Sequence, residues 1–548
     1  MTRIILFFTI FSLVTSSLFS QNELSENDKL YTVSKVWGFL KYYHPQVAKG
    51  DLNWDNEFIR ILPSVKHAKS KNELSDVLLT WINSQGKIKN CNSCKPKNNV
   101  TYFNDNFDLS WTQDSTLFNN DLSEKLKAIE TNRFQGKSQY FSINKKGGNI
   151  NLEKDISTLD FDWQNESHRL LTLVKYWNTI EYFFPYKYQT DLNWNEVLIQ
   201  MIPTFLNSKN ELDYHLAILE LIVNLNDSHA WFKTDLLDDY FGKKFIPAKY
   251  QIINNSAIIT GCYNDSLAKL NNLKIGDEII SIDGITIEQY LEENNKYLKG
   301  SNKPAKAAYA FDKIFNGSTD SIEIEIIKQN KLFTKKIGRY AFEDFNYKRP
   351  KREKWKILEN KIGYVNLGNI EVDEVEFLLD ALRATKSIIF DLRNYPKFSM
   401  YKIIPFLNGT PKELNKIIVP DYTYPGKFFW KDTEPLGKKN KKPYQGKIFI
   451  LVDSNTISYA EWYAMALQSN ENSTTIGNQT LGADGNVSPF TILGGFKTGF
   501  SGIGVFYPDK TETQRLGVKI DLEVIPTVEG IKNGRDEILE KAIELANE

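Results

Sequence analysis

The spacing of apolar positions changes twice along the chain. Up to about residue 240, apolar and aromatic residues recur at helical spacing in two blocks, 21–99 and 165–240, separated by a polar stretch at 100–164 with scattered aromatics. From residue 241 to 340 the pattern shortens into β-like runs at 250–253, 257–260, 278–282 and 321–327. From about residue 350 to 548, strands (363–367, 387–392, 447–452) alternate with helices (374–384 and one starting near Ser458). Such alternation predicts an α/β domain whose reactive groups gather where strands end and helices begin. The whole chain therefore reads as multidomain α+β.

The two helical blocks are copies of one another. Residues 36–63, VWGFLKYYHPQVAKGDLNWDNEFIRILP, match residues 176–203, YWNTIEYFFPYKYQTDLNWNEVLIQMIP, pairing Trp37 with Trp177, Pro45 with Pro185, and the two DLNW motifs at a constant offset of 140. SKNEL recurs at Ser70 and Ser208. Two copies of a helix–turn–helix unit make a duplicated module and are too few for a solenoid. The copies differ at their ends. The first runs into Cys91 and Cys94, a single CxxC expected to be a structural pair, since neither further zinc ligands nor a thioredoxin-like context accompanies it. Cys262 lies in an apolar run and is expected to be buried. The second copy ends in Asp227-Ser228-His229. His229 is one of five histidines in the chain and stands at the end of an apolar helix beside an acid and a hydroxyl, which suits a general base.

The strand 447–452 ends at the turn-formers Asp453, Ser454 and Asn455, and helical spacing begins at Ser458 with Tyr459, Trp462, Tyr463 and Ala466. Ser458 thus stands at a helix N-terminus, where free amides and the helix dipole stabilise negative charge. A plain helix cap by Ser458 or Thr456 is the competing reading of the same pattern.

Within the β-like block, LKIGDEIISIDGITIEQYL (273–291) places turn pairs Gly276-Asp277 and Asp283-Gly284 around a strand, with a helix following. It resembles a PDZ domain, a fold that takes a peptide as an added strand and holds its C-terminal carboxylate on backbone amides.

Net charge is zero, with 68 Lys plus Arg against 68 Asp plus Glu, so no nucleic-acid or anionic-membrane partner is expected. Arg3, the apolar run 4–19 and Ser20 predict a secretory signal peptide (1–20), and no later run is long enough to span a bilayer. The mature chain is expected to be exported and soluble, in the periplasm, at the cell surface or secreted. The few His and Cys show no metal-ligand spacing, and neither a metal nor an organic cofactor is expected.

Taken in order, a signal, a helical segment, a PDZ-like insert and then IGYVNLGN, IIFDLRNYP, TISYAE, TLGADGNVS and GVKIDLEVIPT look like the C-terminal processing (tail-specific) proteases and the related tricorn core protease. The resemblance runs from about Asn224 to the C-terminus. It implies a ClpP/crotonase-like serine peptidase domain, with Ser458, three residues before Glu461, as nucleophile. The processing proteases draw their base from a Lys after the nucleophile helix, but Ala483 stands at that position, beside Asp484. The tricorn-like branch instead uses a Ser-His pair ahead of the PDZ-like insert, which Ser228-His229 matches. The implied mechanism is acyl transfer, with His229 taking the Ser458 proton and Ser228 or Asp227 orienting the imidazole. Gln514 aligns with the acid that backs the Ser in that branch. Pro396 has no amide hydrogen, leaving the amides of Tyr395 and Tyr459 as oxyanion candidates, with Arg393 bracing the turn. The expected function is a serine peptidase acting on unstructured polypeptide or protein C-termini. An inactive peptide-binding protein on the same fold is the alternative, and hydrolysis of a non-peptide ester or amide is a third.

Overall fold

The computed structural model describes residues 24–95, 97–328, 331–348 and 353–548, so the expected signal peptide lies outside the described residues. The first helical copy comprises α1 (Glu26–Tyr43), α2 (Trp54–His67) and α3 (Lys71–Ser84). After α4 (Asn120–Thr131), the second copy repeats the arrangement as α5 (Glu166–Phe183), α6 (Trp194–Leu206) and α7 (Glu211–Val223). The DLNW motif recurs because it does the same work twice. Asn53 and Asn193 cap α2 and α6. The following Trp then exchanges hydrogen bonds with a Trp on the preceding helix. Trp37 and Trp54 each donate an indole N–H to the other's carbonyl (2.9 and 3.1 Å), as do Trp177 and Trp194 (2.6 and 3.1 Å).

The copies pack against each other with exchanged partners. Lys35 on α1 bonds Asn195 on α6 (2.8 Å), and its repeat equivalent Lys175 on α5 bonds Asp55 on α2 (2.8 Å). The module is thus a pseudo-two-fold pair sharing one aromatic core.

The stretch 100–164 is more ordered than its polar composition predicts. Leu122, Leu126 and Ile129 give α4 a buried face, and Asn119 caps it. Tyr102–Phe103 pairs antiparallel with Phe428–Phe429, over three hundred residues away. Cys91 and Cys94 are disulfide-bonded, whereas Cys262 is half-buried rather than buried.

The PDZ-like region is a sheet of β1 (Ala248–Ile253), β2 (Ser256–Cys262), β3 (Glu278–Ile282), β4 (Ser321–Lys328) and β5 (Lys331–Gly338), in the order β5-β4-β3-β2-β1, with helix α8 (Lys303–Tyr309) beside the edge strand β1. Asp283 and Gly284 both take positive φ (45° and 82°) in the turn after β3, the conformation that Asp-Gly pairs tolerate.

The last domain is built on β6 (Trp355–Leu358), β7 (Ile362–Asn366), β8 (Ser387–Asp391), β9 (Lys447–Val452) and β10 (Ser473–Gly477), adjacent in that order and parallel from β7 onward. The strands are buried on both sides, which explains the unbroken apolar run of β9. Ile448 and Ile450 meet α9 (Val375–Leu382), α10 (Met400–Leu407) and α11 (Tyr459–Gln468) on one face. Phe449 and Leu451 meet the C-terminal helix Glu537–Asn547 on the other. A separate hairpin pairs Val487–Thr491 with Lys497–Ser501.

At the contact of the two helical copies, a Cβ on Gly38 would lie 1.6 Å from Asn178 Oδ1. Gly38→Ala is expected to destabilise the module by about 2–4 kcal/mol, and Asn178→Ala in the same chain to recover most of it. Thermal unfolding of the single and double variants checks this; equal losses in both would contradict the contact.

Candidate functional site

Strand β9 delivers the chain to the C-terminal edge of the parallel sheet, and the turn 453–458 reverses it into α11. Asp453 accepts the Asn455 amide (2.8 Å), and Thr456 donates to the Leu392 carbonyl (2.9 Å), tying this turn to the one after β8. Ser458 itself has φ 57° and ψ −118°. Most helix caps in this chain, such as Ser25, Ser70 and Thr234, are extended, as an ordinary cap is. A left-handed serine between strand and helix is instead the strained elbow that projects a hydroxyl over a sheet edge. That strain separates Ser458 from a plain cap.

Glu461 holds the elbow. Its buried carboxylate accepts the Ser458 amide (2.9 Å), the Thr480 hydroxyl (2.5 Å), and the amides of Gly482 (2.9 Å) and Ala483 (3.1 Å). The side chain at the position where the processing proteases carry Lys is thus a fully buried Ala483 methyl. Asp484, also buried, has one oxygen bonded to the Gly485 amide (2.6 Å) and the other without a partner. Burial first, and then the Glu461 charge, push the Asp484 carboxyl up to about 8. Burial raises Glu461 too, against its four donors. Four donors favour the charged form of Glu461, whereas the one-donor Asp484 carboxyl keeps its proton near pH 7.

His229 follows α7 through a turn in which Asn226 takes φ 51° and bonds Asp191 of the second DLNW motif in both directions (2.8 and 3.0 Å). The helical repeat thereby positions the histidine turn. His229 Nδ1 lies 2.8 Å from Ser501 Oγ, and Ser501 Oγ donates to Asp227 Oδ1 (3.0 Å). Since the Ser501 proton goes to the carboxylate, its oxygen accepts from Nδ1–H, which leaves the Nε2 lone pair as the basic one. Burial lowers the His229 pKa more than the Asp227 charge raises it, and Lys299 lowers it further, so the imidazole is neutral near pH 7.

Two expectations need correcting here. Ser228 does not orient the imidazole: its hydroxyl donates to the Leu481 carbonyl (3.1 Å) and accepts the Ser301 amide (2.9 Å). Gln514 does not back Ser228; its amide reaches Asp227 Oδ1 at 3.5 Å. Asp227 is the acid of the cluster, also accepting the amides of His229 (3.1 Å) and Ser501 (2.7 Å). Ser501 ends its hairpin 43 residues after Ser458, in a stretch with no local motif to mark it, and only the hairpin's fold brings it to His229.

The two turns meet on one segment. Thr480 and the amides of 482 and 483 bind Glu461, the Leu481 amide donates to Thr456 (3.0 Å), and the Leu481 carbonyl takes the Ser228 hydroxyl. The Tyr309 phenol, raised to about 12 chiefly by burial, also feels both Asp227 and Glu461. Of the oxyanion candidates, the Tyr459 amide is the first of α11 and has no intrahelical acceptor. Tyr395 is exposed, beside the Tyr459 ring at 6.4 Å. Arg393 braces the turn as expected, forked onto Asp391 (3.0 and 2.7 Å) and Asp536 (2.7 and 2.8 Å).

A strained serine and a neutral, acid-backed imidazole are groups that nucleophilic acyl transfer requires. Residues 361–524 match the sequence model of peptidase family S41. No curated protein matches the chain. Among solved structures, mature CPAF complexed with lactacystin has a TM-score of 0.55 at 13% identity, over 69% of this chain and 97% of that one. The photosystem II D1 C-terminal processing protease gives 0.38 at 14% identity (67% and 96% covered), and the tricorn protease 0.34 at 13% (76% and 42%). At such identities the CPAF likeness is one of fold.

Folding binds a proton at Asp484 between the ordinary carboxyl pKa near 4 and about 8, so this group makes stability fall with rising pH across that window and levels off above it. The slope from one such group is about 1.4 kcal/mol per pH unit. Asp484→Asn is expected to flatten the wild-type decline by that amount. Denaturant unfolding of both proteins at pH 5 to 8 measures the difference, and parallel curves would refute it.

Proposed function

We propose that this chain, which belongs to peptidase family S41 through residues 361–524, cleaves polypeptide by an acyl-enzyme mechanism with Ser458 as nucleophile and His229 as general base. Family membership makes it a serine peptidase with polypeptide as its class of substrate. The observation that carries the finer reading is that a left-handed Ser458 and a neutral His229, whose Nδ1 is committed to Ser501 and Asp227, stand on two turns fastened to the same 480–483 segment. In the forward step His229 Nε2 takes the Ser458 proton as Oγ attacks the scissile carbonyl. The Tyr459 amide supports the developing oxyanion, and the imidazolium then protonates the leaving amine. Asp227 and Ser501 act as positioning residues that fix the tautomer.

The substrate path also supports this reading. A cleft of about 1300 Å³ runs between the edge strand β1 with α8 and the nucleophile turn at Ser454 and Asn455. An extended peptide added to β1 would be led toward that turn. Exposed Tyr395, Phe398 and Tyr401, in ring contact with Tyr459 and Trp462, favour apolar segments beside the nucleophile. Residues 1–20 are proposed as the signal for export, and among the described residues no helix is long and apolar enough to cross a membrane.

A fluorophosphonate probe should label Ser458, and labelling and casein cleavage should both fall at least ~10³-fold in Ser458→Ala and His229→Ala. A folded wild-type protein that binds peptide without labelling or cleavage would make it an inactive peptide-binding relative. Ser501→Ala should lower kcat by about tenfold to a hundredfold with little change in KM. The acid limb of kcat/KM should have its midpoint below pH 6.5, since the active form is the neutral imidazole and its pKa is lowered. A midpoint above 6.5 would place the base elsewhere.

A further inference from the structure

The helical module carries two charge sites related by its repeat, and they are not equally completed. In one, Lys41 and Lys175 surround Asp155 (2.6 and 3.5 Å), and Lys175 also bonds Asp55 (2.8 Å). Two lysines and two carboxylates make that buried cluster neutral. At the offset of 140 the same positions hold Glu181, Lys35 and Asn195. Glu181 is taken up by Lys187 (2.9 Å), and the residue facing Lys35 is an amide where its counterpart is Asp55. The second cluster therefore holds one positive charge with no carboxylate bonded to it, Glu181, Asp108 and Asp114 acting on it only at longer range.

That charge is Lys35. It is 4% exposed, and its ammonium bonds Tyr31 Oη (3.2 Å) and Asn195 Oδ1 (2.8 Å) and lies 4.7 Å over the Trp111 ring. No carboxylate among the described residues lies within 4.0 Å of it, so one of its three donors is unused. Lys35 and Glu181, the counterparts of the two lysines that flank Asp155, both line a cavity of about 580 Å³. In the completed site Asp155 lies between its two lysines, whereas the counterparts Lys35 and Glu181 both face cavity. The walls include Tyr31, Trp111 and Leu117, and the rim bears Asp105, Asp108 and Asp114.

We propose that this cavity binds a small carboxylate ligand of amino-acid type, its carboxylate completing the Lys35 site as Asp155 completes the Lys175 site, its ammonium toward the acidic rim, and its side chain against the aromatic walls. The inference does not rest on the peptidase reading, because the site lies in the helical module and needs neither Ser458 nor His229. Burial lowers the Lys35 pKa to about 8, against the raising effect of Glu181, Asp108 and Asp114 at longer range and with Lys187 lowering it further, and a bound carboxylate would raise it again.

The test is isothermal titration and thermal unfolding of the full chain with L-leucine and L-phenylalanine, with their N-acetyl forms, and with their amides. The free amino acids should bind and raise the midpoint, and the amides, which lack the carboxylate, should not. Lys35→Met should weaken binding at least tenfold. Asn195→Asp should do the same by restoring the internal carboxylate, while raising the ligand-free midpoint. Tighter binding of the N-acetyl forms, which lack the ammonium set toward the acidic rim, would overturn the amino-acid ligand. Equal binding of the amides, or undiminished binding by Asn195→Asp, or no carboxylate bound at millimolar concentration, would overturn the proposal. Running the titration on Ser458→Ala protein keeps it independent of catalysis.

Discussion

Glu461 sits buried at the third position of a helix and takes hydrogen bonds from four donors in two chain segments. Ser458 adopts a backbone conformation that costs on the order of 1–3 kcal/mol for a residue with a side chain, and such a conformation persists only where the surroundings over-determine it. The donors around Glu461 supply that determination. They also bring the 480–483 segment against the nucleophile turn, and the histidine turn attaches to the same segment through Ser228. A single carboxylate therefore sets both the angle of the nucleophile and the floor on which its base rests.

The consequence for the chemistry is a division of labour between acids. In this chain the position used for a lysine base elsewhere is closed by the Ala483 methyl, and the space beneath the elbow is occupied by Glu461 and a protonated Asp484. The base proposed for this chain lies instead on a turn anchored by the helical repeat, with its own acid at Asp227. On that proposal the repeat serves the site: its second DLNW motif holds Asn226, in the turn that presents His229.

How much of this could be read from the chain depended on the range of the interaction. Strands such as β9 and the turn pairs around β3 announce themselves through local chemistry, and Ser458, Glu461 and His229 stand in or beside recognisable local patterns. Ser501 does not. It is a serine at the end of a short hairpin, and nothing within ten residues distinguishes it from Ser488; its contact with His229 exists only once the hairpin, α7 and the sheet are assembled. Ser228 was misassigned for the complementary reason: adjacency in sequence to His229 suggested contact, but consecutive residues in a tight turn point apart. The strand at Tyr102–Phe103 was hidden because two residues carry no periodicity, and its partner lies in a different domain.

That last pairing bears on how the molecule is made. The first helical copy and its connection are fastened to the catalytic domain by Tyr102–Phe103 against Phe428–Phe429, by the Tyr43 hydroxyl on the Pro425 carbonyl (2.6 Å), and by Arg133 on the Thr423 carbonyl (2.8 Å). All three docking points are synthesised 290 to 382 residues after the groups they receive. The N-terminal third must then wait, with part of its apolar surface uncovered, until the chain is nearly complete, which lengthens the interval over which an unfinished copy of this protein needs protection from aggregation.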